Sequence, residues 1–133
     1  MDDGEASTVV DEERAASVVG EEFGLLSAAE VARRAGSRGH SRTLAVRRWQ
    51  QGRKVFAVPV AGLDHYPGFC FGADGRPRPV IGEVLATLDG KLSGWALAAW
   101  FVSTAPGLAA RPVDLLDSDP SRVLAEARRA VGR

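Results

Sequence analysis

Two helix signals in succession, followed by signals for a β-hairpin, restrict the fold of this chain more than any other feature. The run SAAE at 27–30 has the form S-x-x-E, a capping box in which the Ser27 and Glu30 side chains bind backbone amides at the start of a helix. A second helix is predicted over 41–51, where apolar residues recur at helical spacing and the arginines fall largely on other faces. Gly52 is expected to end it.

A β-hairpin is predicted directly after these helices. Residues 55–60 alternate and include β-branched valines, which is typical of a strand, and 61–64 favour a turn. A return strand is predicted at 65–66, bounded by Pro67. Helix, turn, helix, strand, turn, strand is the order of a small winged helix-turn-helix. We therefore expect a mainly α fold with a short β-hairpin.

The rest of the chain is predicted to be a bundle of short helices. The Gly- and Pro-rich run GADGRPRP, residues 72–79, is typical of a linker, and segments with helical spacing follow it. The dipeptide Asp-Pro at 119–120 is an N-cap followed by proline at the first helical position. We therefore divide the chain into an acidic disordered arm (1–22), a winged helix-turn-helix module (23–72) and a helical domain (73–133).

Charge is segregated along the chain although the formal net charge is zero, with 17 basic and 17 acidic residues. Residues 1–22 carry eight acids and one base, a net of −7, whereas residues 23–57 carry eight bases and one acid, a net of +7. From residue 58 onward eight acids balance eight bases. An excess of positive charge in a predicted helix-turn-helix indicates a polyanionic partner, and we expect double-stranded DNA.

The expected DNA contacts lie on the second helix and just after it, with Trp49 anchoring the opposite face in the core. In a helix-turn-helix the second helix enters the major groove, where arginine reads guanine bidentately. The expected base contacts are Ser41, Arg42, Thr43 and Arg47. The expected phosphate contacts are Arg48, Arg53 and Lys54. The alternative is that these charges form only a solvated face.

Composition and motifs also restrict the class of function. The single cysteine, Cys70, excludes an internal disulfide and favours a cytoplasmic protein. No apolar run approaches the ~20 residues that span a bilayer, and the acidic N-terminal sequence lacks the pattern of a signal peptide. Neither a nucleophile motif nor a phosphate-binding loop occurs, and the spacing of His65 and Cys70 matches no closed zinc site. We therefore expect no enzymatic activity, no cofactor, no metal and no membrane partner.

The second half of the chain resembles a known family. Its motifs are Tyr66-Pro67-Gly68-Phe69-x-Phe71, the Trp100-Phe101 helix, Leu108-x-x-Arg111-Pro112-x-Asp114-Leu115-Leu116, and Asp119-Pro120-x-x-Val123-Leu124. Together they resemble the C-terminal toxin-binding domain of the Xre/MbcA/ParS-type antitoxins, the partners of RES-domain toxins, over about half of the chain. The first half is closer to an excisionase/MerR-like reader, through AAEVARRAG and RRWQQGRKVFAVPVAG.

The resemblance implies the antitoxin of a type II toxin–antitoxin pair. Such a protein occludes the substrate cleft of a RES toxin, forms a homodimer or a larger hetero-oligomer, and usually represses its own operon. The implied toxin contacts are Trp100, Phe101, Leu108, Arg111, Pro112, Leu115, Leu116, Arg128 and Arg129. The alternative is a stand-alone transcriptional regulator or recombination accessory factor, in which the helical bundle serves only to dimerise.

Large apolar side chains are dense in the second half. Trp95, Trp100 and Phe101 lie on one predicted helix that is apolar nearly all round. About sixty residues of short helix cannot easily bury all three by themselves. We therefore expect a partner polypeptide to cover part of this set. Arg111 is expected to form an ion pair with Asp114 or Asp117.

Overall fold

The computed structural model describes residues 11–36, 43–88 and 91–132. Its helices are α1 (Glu12–Glu22), α2 (Ala28–Arg34), α3 (Leu44–Gln51), α4 (Pro79–Thr87), α5 (Gly94–Val102) and α6 (Pro120–Val131). Its strands are β1 (Leu25–Leu26), β2 (Val58–Val60) and β3 (Leu63–Pro67), and short 3₁₀ helices occupy Gly68–Cys70 and Pro112–Leu115. None of the described helices is long and apolar enough to cross a membrane.

Helix α1 corrects the prediction that residues 1–22 form a disordered arm; residues 1–10 of that arm lie outside the described residues. The Asp11 carboxylate caps α1 by accepting a 2.7 Å hydrogen bond from the backbone N–H of Arg14. Ala15 and Val19 are fully buried, and α1 packs against α5. The sequence signal is weak because this apolar stripe is narrow and surrounded by acids, and because the helix it packs against lies some eighty residues away.

Helices α2 and α3 form the predicted helical pair. The capping box is present at the start of α2: the Ser27 hydroxyl accepts from the Glu30 N–H at 3.2 Å, and the Ser27 N–H donates to the Glu30 carboxylate at 2.8 Å. Val31 and Val46 are fully buried where α2 and α3 pack together. α3 begins at Leu44, and the predicted start at residue 41 lies outside the described residues.

The sheet has three antiparallel strands in the order β1-β3-β2. β2 and β3 form the predicted hairpin, with Val60 opposite Leu63 across a two-residue turn. Ala61 and Gly62 hold that turn at φ 54° and 81°, the left-handed conformations that a tight hairpin needs. β1 was not predicted, because two residues are too short to show an alternating pattern. The predicted strand over 55–60 is shorter at its start.

The order α1-β1-α2-α3-β2-β3, together with this sheet, is a small winged helix-like arrangement. The predicted fold class, mainly helical with a small antiparallel sheet, is confirmed. α1 supplies the helix that precedes the helical pair, and β3 lies between the wing strand β2 and the short β1. The wing and the second helix of the pair are therefore fixed to one scaffold.

The second half adds α4, α5 and α6. Pro79 opens α4, and Pro120 opens α6, each at a first-turn position where its missing N–H is not needed. α4 packs against α6, whereas α5 lies against α1 and β2. α5 also packs against the 3₁₀ turn at Pro112–Leu115, so it joins the second half of the chain to the first.

The described residues form one hydrophobic core across the predicted boundary at residue 73. Phe101 of α5 stacks on Phe56, with ring centroids 5.9 Å apart and planes 8° apart, and its ring centroid lies 5.0 Å from that of Phe69. All three side chains are buried. The boundary between two functional modules stays a prediction, but the residues on its two sides share one hydrophobic core.

The expectation that a partner polypeptide covers part of the set Trp95, Trp100 and Phe101 is wrong for Phe101 and stays a prediction for the two tryptophans, which keep exposed surface. Phe101 has no exposed surface, and Trp95 and Trp100 are partly buried within the chain itself. Within the described ranges, the exposed large apolar side chains are Leu44, at 39% exposure, and Leu63, at 67%. Part of the cover comes from α1 and β2, which pack against α5 although the sequence did not place them there.

Candidate nucleic-acid interface

Helix α3 turns Val46 and Trp49 toward the core and Arg47 and Arg48 to solvent, whereas Leu44 at its start is exposed. Val46 is fully buried. Trp49 is half-buried, and its ring centroid lies 6.3 Å from that of Phe71. Both arginines are exposed. The helix is held by one face, and the other face carries two positive charges, which is the orientation that helical spacing predicts.

The N-terminal end of α3 is where a recognition helix meets base edges. Two of the predicted base contacts, Ser41 and Arg42, lie outside the described residues. Thr43 is the N-cap residue of α3, and its side chain makes no capping hydrogen bond. Thr43 therefore does not cap the start of the helix with its side chain, and the residue is partly exposed.

The C-terminal end of α3 places two further predicted contacts at the surface. The N–H groups of Gly52 and Lys54 donate to the carbonyls of Arg48 and Trp49, each at 2.8 Å, so the chain turns sharply out of the helix. Arg53 occupies the left-handed position of this turn at φ 59°. Arg53 and Lys54 are exposed, as is Arg48 in the last turn of α3. The C-terminal end of α3 therefore carries three exposed cations.

The wing is joined to α3 by a side-chain cluster that no sequence motif indicates. The Tyr66 hydroxyl donates to Gln50 Oε1 at 2.7 Å, and Gln50 Nε2 donates to the Asp64 carboxylate at 3.4 Å. Burial raises the pKa of Tyr66, and the nearby Asp64 carboxylate raises it further, so the hydroxyl remains a donor. Gln50 therefore fixes β3 relative to the exposed face of α3.

The wing itself carries no lysine or arginine over residues 58–67. The positive charge of the interface comes instead from helical residues: Arg33 and Arg34, at the end of α2, are exposed as well. The acid on that helix, Glu30, is engaged by the Ser27 N–H, which lowers the pKa of its carboxyl group. The candidate interface is thus a helical face with an uncharged or acidic wing beside it.

The structure places four of the implied toxin contacts in this chain's own core, which corrects the expectation that they face a partner. These residues are Phe101, Leu108, Pro112 and Leu116. They are apolar and lie on α5, on the 3₁₀ turn and in the loops beside them, where they face inward. The apolar residues at these four motif positions are therefore explained by packing within the chain.

The remaining implied toxin contacts keep some exposed surface. Trp100 and Leu115 are partly buried, and Arg128 and Arg129 on α6 are exposed. Arg129 also lies 3.3 Å from the carboxylate of Glu126, a buried acid one turn earlier in α6. A groove of about 330 Å³ is lined by Trp100 and by Glu126 and Ala130 of α6.

Arg111 links the C-terminal end of α1 to the 3₁₀ turn at Pro112–Leu115 and is engaged within the chain. Its guanidinium forms two hydrogen bonds to Asp114, at 2.8 and 2.9 Å, and two to Glu22 at the end of α1, at 2.9 and 3.3 Å. The pairing with Asp114 is confirmed. The hydrogen bonds to Asp114 and Glu22 raise the pKa of Arg111, and those from Arg111 lower the pKa of Asp114.

A second arginine, Arg78, makes a comparable bridge that sequence reasoning missed. It forms a bidentate pair with Asp117, at 2.8 and 2.9 Å, and donates to the carbonyls of Phe69 and Phe71, at 2.7 and 2.6 Å. The hydrogen bonds from Arg78 lower the pKa of Asp117. No local pattern connects residues 39 apart in the sequence.

Cys70 is not arranged as a nucleophile or a ligand. It is fully buried, and burial raises the pKa of its thiol to about 12, so it is protonated at neutral pH. Across 11–36, 43–88 and 91–132, no group of three His, Cys, Asp or Glu side chains is close enough to hold a metal ion.

No protein-family model, curated protein or solved structure matches this chain. The features that indicate a function are therefore the winged helix-like fold, the cations that it exposes and the motifs of the second half.

Proposed function

We propose that this protein binds double-stranded DNA through α3 and is the antitoxin of a type II toxin–antitoxin pair in the cytoplasm. The observation that carries the proposal is the exposed position of Arg47 and Arg48 on a helix whose other face is anchored by Val46 and Trp49. A rigid helix with a cationic face fits the major groove, where arginine reads guanine and contacts phosphates.

The remaining DNA contacts follow from their place around α3. Arg53 and Lys54 extend the positive surface beyond the C-terminal end of the helix, where the phosphate backbone would pass. Gln50 holds the wing beside this face through Tyr66. Because the wing carries no lysine or arginine, its part is to limit how α3 enters the groove.

The antitoxin part of the proposal is supported by the motifs of the second half. The side chains that keep exposed surface there, Trp100, Leu115, Arg128 and Arg129, form the surface we assign to the RES-domain toxin. Inhibition would be steric, since covering the toxin's substrate cleft needs no chemistry from this chain. Tryptophan and arginine are the residues that most often carry binding energy at such interfaces.

A second candidate function is a stand-alone DNA-binding regulator whose second half contributes only to folding and dimerisation. The observation that favours it is the shared core: Phe101, Leu108, Pro112 and Leu116 are buried within the chain. Both functions use α3 in the same way. They differ in whether the surface around Trp100 and α6 binds a toxin.

The DNA-binding part is tested with the double variant Arg47→Ala/Arg48→Ala. The probe is a labelled duplex from upstream of this protein's own reading frame, with a shuffled duplex of the same length as reference. The matched control, Arg14→Ala/Arg128→Ala, removes the same charge from exposed positions on α1 and α6. We expect binding to be lost in the first variant and kept in the control. Equal affinities would refute the assignment of α3.

The antitoxin part is tested by co-expression with the product of the adjacent reading frame, followed by co-purification and a growth assay. We expect a complex that survives purification, and we expect Arg47→Ala/Arg48→Ala to neutralise the toxin while failing to bind DNA. Arg128→Glu should do the reverse. Absence of any complex, with DNA binding intact, would leave the regulator as the function.

A further inference from the structure

A groove of about 560 Å³ lies between the C-terminal end of α3 and the first turns of α4. One wall is formed by Trp49, Arg53 and Lys54, and the other by Arg76 and α4. The groove therefore begins where the cationic face of α3 ends. Sequence analysis placed Arg76 in a linker and assigned it no role.

The groove is strongly positive. Arg53, Lys54 and Arg76 are all exposed at its walls, and the acid that lines it is Glu83. Arg78 also lines it but is committed to Asp117. Within the described ranges the side chains of Lys54 and Arg76 have no ion-pair partner. Glu83 is the acid among the described residues that line the groove, so the groove keeps a net positive charge, which favours a polyanion as the occupant.

Arg76 is held by a rigid turn, because the supposed linker is docked on the helix-turn-helix. The Gly72 N–H donates to the Arg76 carbonyl at 2.8 Å, and the Arg76 N–H donates to the Asp74 carboxylate at 2.9 Å. Gly75, at φ 79°, lies so close to the Arg34 carbonyl that a β-carbon there would overlap it. The turn is thereby fixed against the end of α2.

We propose that this groove binds the phosphodiester backbone of the DNA that α3 enters, with Arg76 as a phosphate contact beside Arg53 and Lys54. The inference rests on the proposed DNA binding and extends its footprint to the turn before α4. The C-terminal end of a recognition helix commonly meets the backbone. The part of the Trp49 indole that lines the groove offers an apolar surface for the sugars.

The test compares Arg76→Ala with Arg14→Ala, which removes the same charge from an exposed residue of α1 outside the groove. Affinity for the upstream duplex and for the shuffled duplex is measured by anisotropy over a range of salt concentrations. Thermal unfolding confirms that both variants are folded. For Arg76→Ala we expect weaker binding by the same factor on both duplexes, and a salt slope smaller by about 0.9, the value of one lost phosphate contact.

Each outcome separates this inference from the proposed function. If Arg76→Ala and Arg14→Ala bind DNA with the same affinity and slope while the unaltered protein binds, the groove is not a phosphate site and the role of α3 stands. If the unaltered protein binds no duplex, the proposed function fails, and the inference fails with it. If Arg76→Ala no longer co-purifies with the toxin while its DNA binding is unchanged, the groove binds a protein partner and the inference is overturned.

Discussion

Trp95 Nε1 donates a hydrogen bond of 3.0 Å to the carbonyl oxygen of Pro59. This bond joins α5, in the half that we propose to bind the toxin, to β2, the first strand of the wing. The same helix face packs against β2. The half of the chain that we propose to bind DNA and the half that we propose to bind the toxin therefore share a direct contact. Neither half is an appended module.

Replacing Trp95 with phenylalanine should remove this bond while keeping an aromatic ring in place. We expect the free energy of unfolding to fall by about 1 kcal/mol, the usual net contribution of one such hydrogen bond. Urea denaturation measures it. The control is Trp100→Phe, since the Trp100 indole N–H has no hydrogen-bond partner within the described residues. An equal loss in both variants would show that ring size, and not the bond to Pro59, matters.

Phe101 should behave as a core residue and not as a partner contact. Phe101→Ala empties a site closed by Phe56 and Phe69, so we expect a loss of about 3–5 kcal/mol in the free energy of unfolding. Leu124→Ala, at a partly buried position of α6, should cost clearly less. Chemical denaturation of the purified protein without any partner makes the comparison. A small effect of Phe101→Ala would restore the interface interpretation.

Interactions between residues near in sequence were predictable, and distant ones were not. The capping box of Ser27 and Glu30 and the two-residue turn at Ala61 and Gly62 need only local geometry, so their residue types indicate them directly. The predicted exposure of Arg47 and Arg48 likewise follows from helical spacing alone.

The features that the sequence did not predict all depend on contacts between residues that are far apart in the chain. α1 is stable because α5 covers Val19, and Glu22 meets Arg111 across 89 residues. Likewise, Arg76 belongs to the candidate interface because Gly75 docks on α2, a contact that a Gly- and Pro-rich run conceals. For the same reason Phe101 was assigned to an interface: its neighbours Phe56 and Phe69 lie in the other predicted domain.

Arg53 should show opposite effects on stability and on binding. Its left-handed conformation costs an L-residue about 1–2 kcal/mol, and glycine avoids that cost while losing about 0.5–1 kcal/mol more chain entropy. We therefore expect Arg53→Gly to stabilise the fold slightly and to weaken DNA binding, because a phosphate contact is removed. Thermal unfolding and anisotropy measure the two effects.

Ala109→Gly is the matched control for that pair of measurements. Ala109 has a similar φ of 53° but lies in the loop before Arg111, outside the candidate interface. The Ala109→Gly substitution should raise the free energy of unfolding by a similar amount and leave the DNA affinity unchanged. Arg53→Gly with unaltered DNA binding would remove Arg53 from the interface.

Cys70 should be unreactive in the folded protein. Its thiol is fully buried with a pKa raised to about 12, so neither the thiolate nor access is available to an alkylating reagent at pH 8. We expect labelling by iodoacetamide only as fast as the protein unfolds, with full labelling in urea. Because the folded-state pKa is raised, stability should also fall as the pH rises above about 8.5, where the thiol of the unfolded chain ionises. Rapid labelling of folded protein would contradict the buried position.

Stability should also fall in acid, through the carboxylates that the two bridging arginines hold. The pKa values of Asp114 and Asp117 are lowered by hydrogen bonds from Arg111 and Arg78. Since each folded-state pKa lies below that of the unfolded chain, the unfolded state binds more protons below about pH 4, and stability is lost as the pH falls through that range. Urea midpoints measured from pH 6 to pH 2.5 should decline, and Asp114→Asn/Asp117→Asn should reduce the decline while lowering the midpoint at pH 6. If the double variant keeps the full acid dependence, the two bridges are not its source.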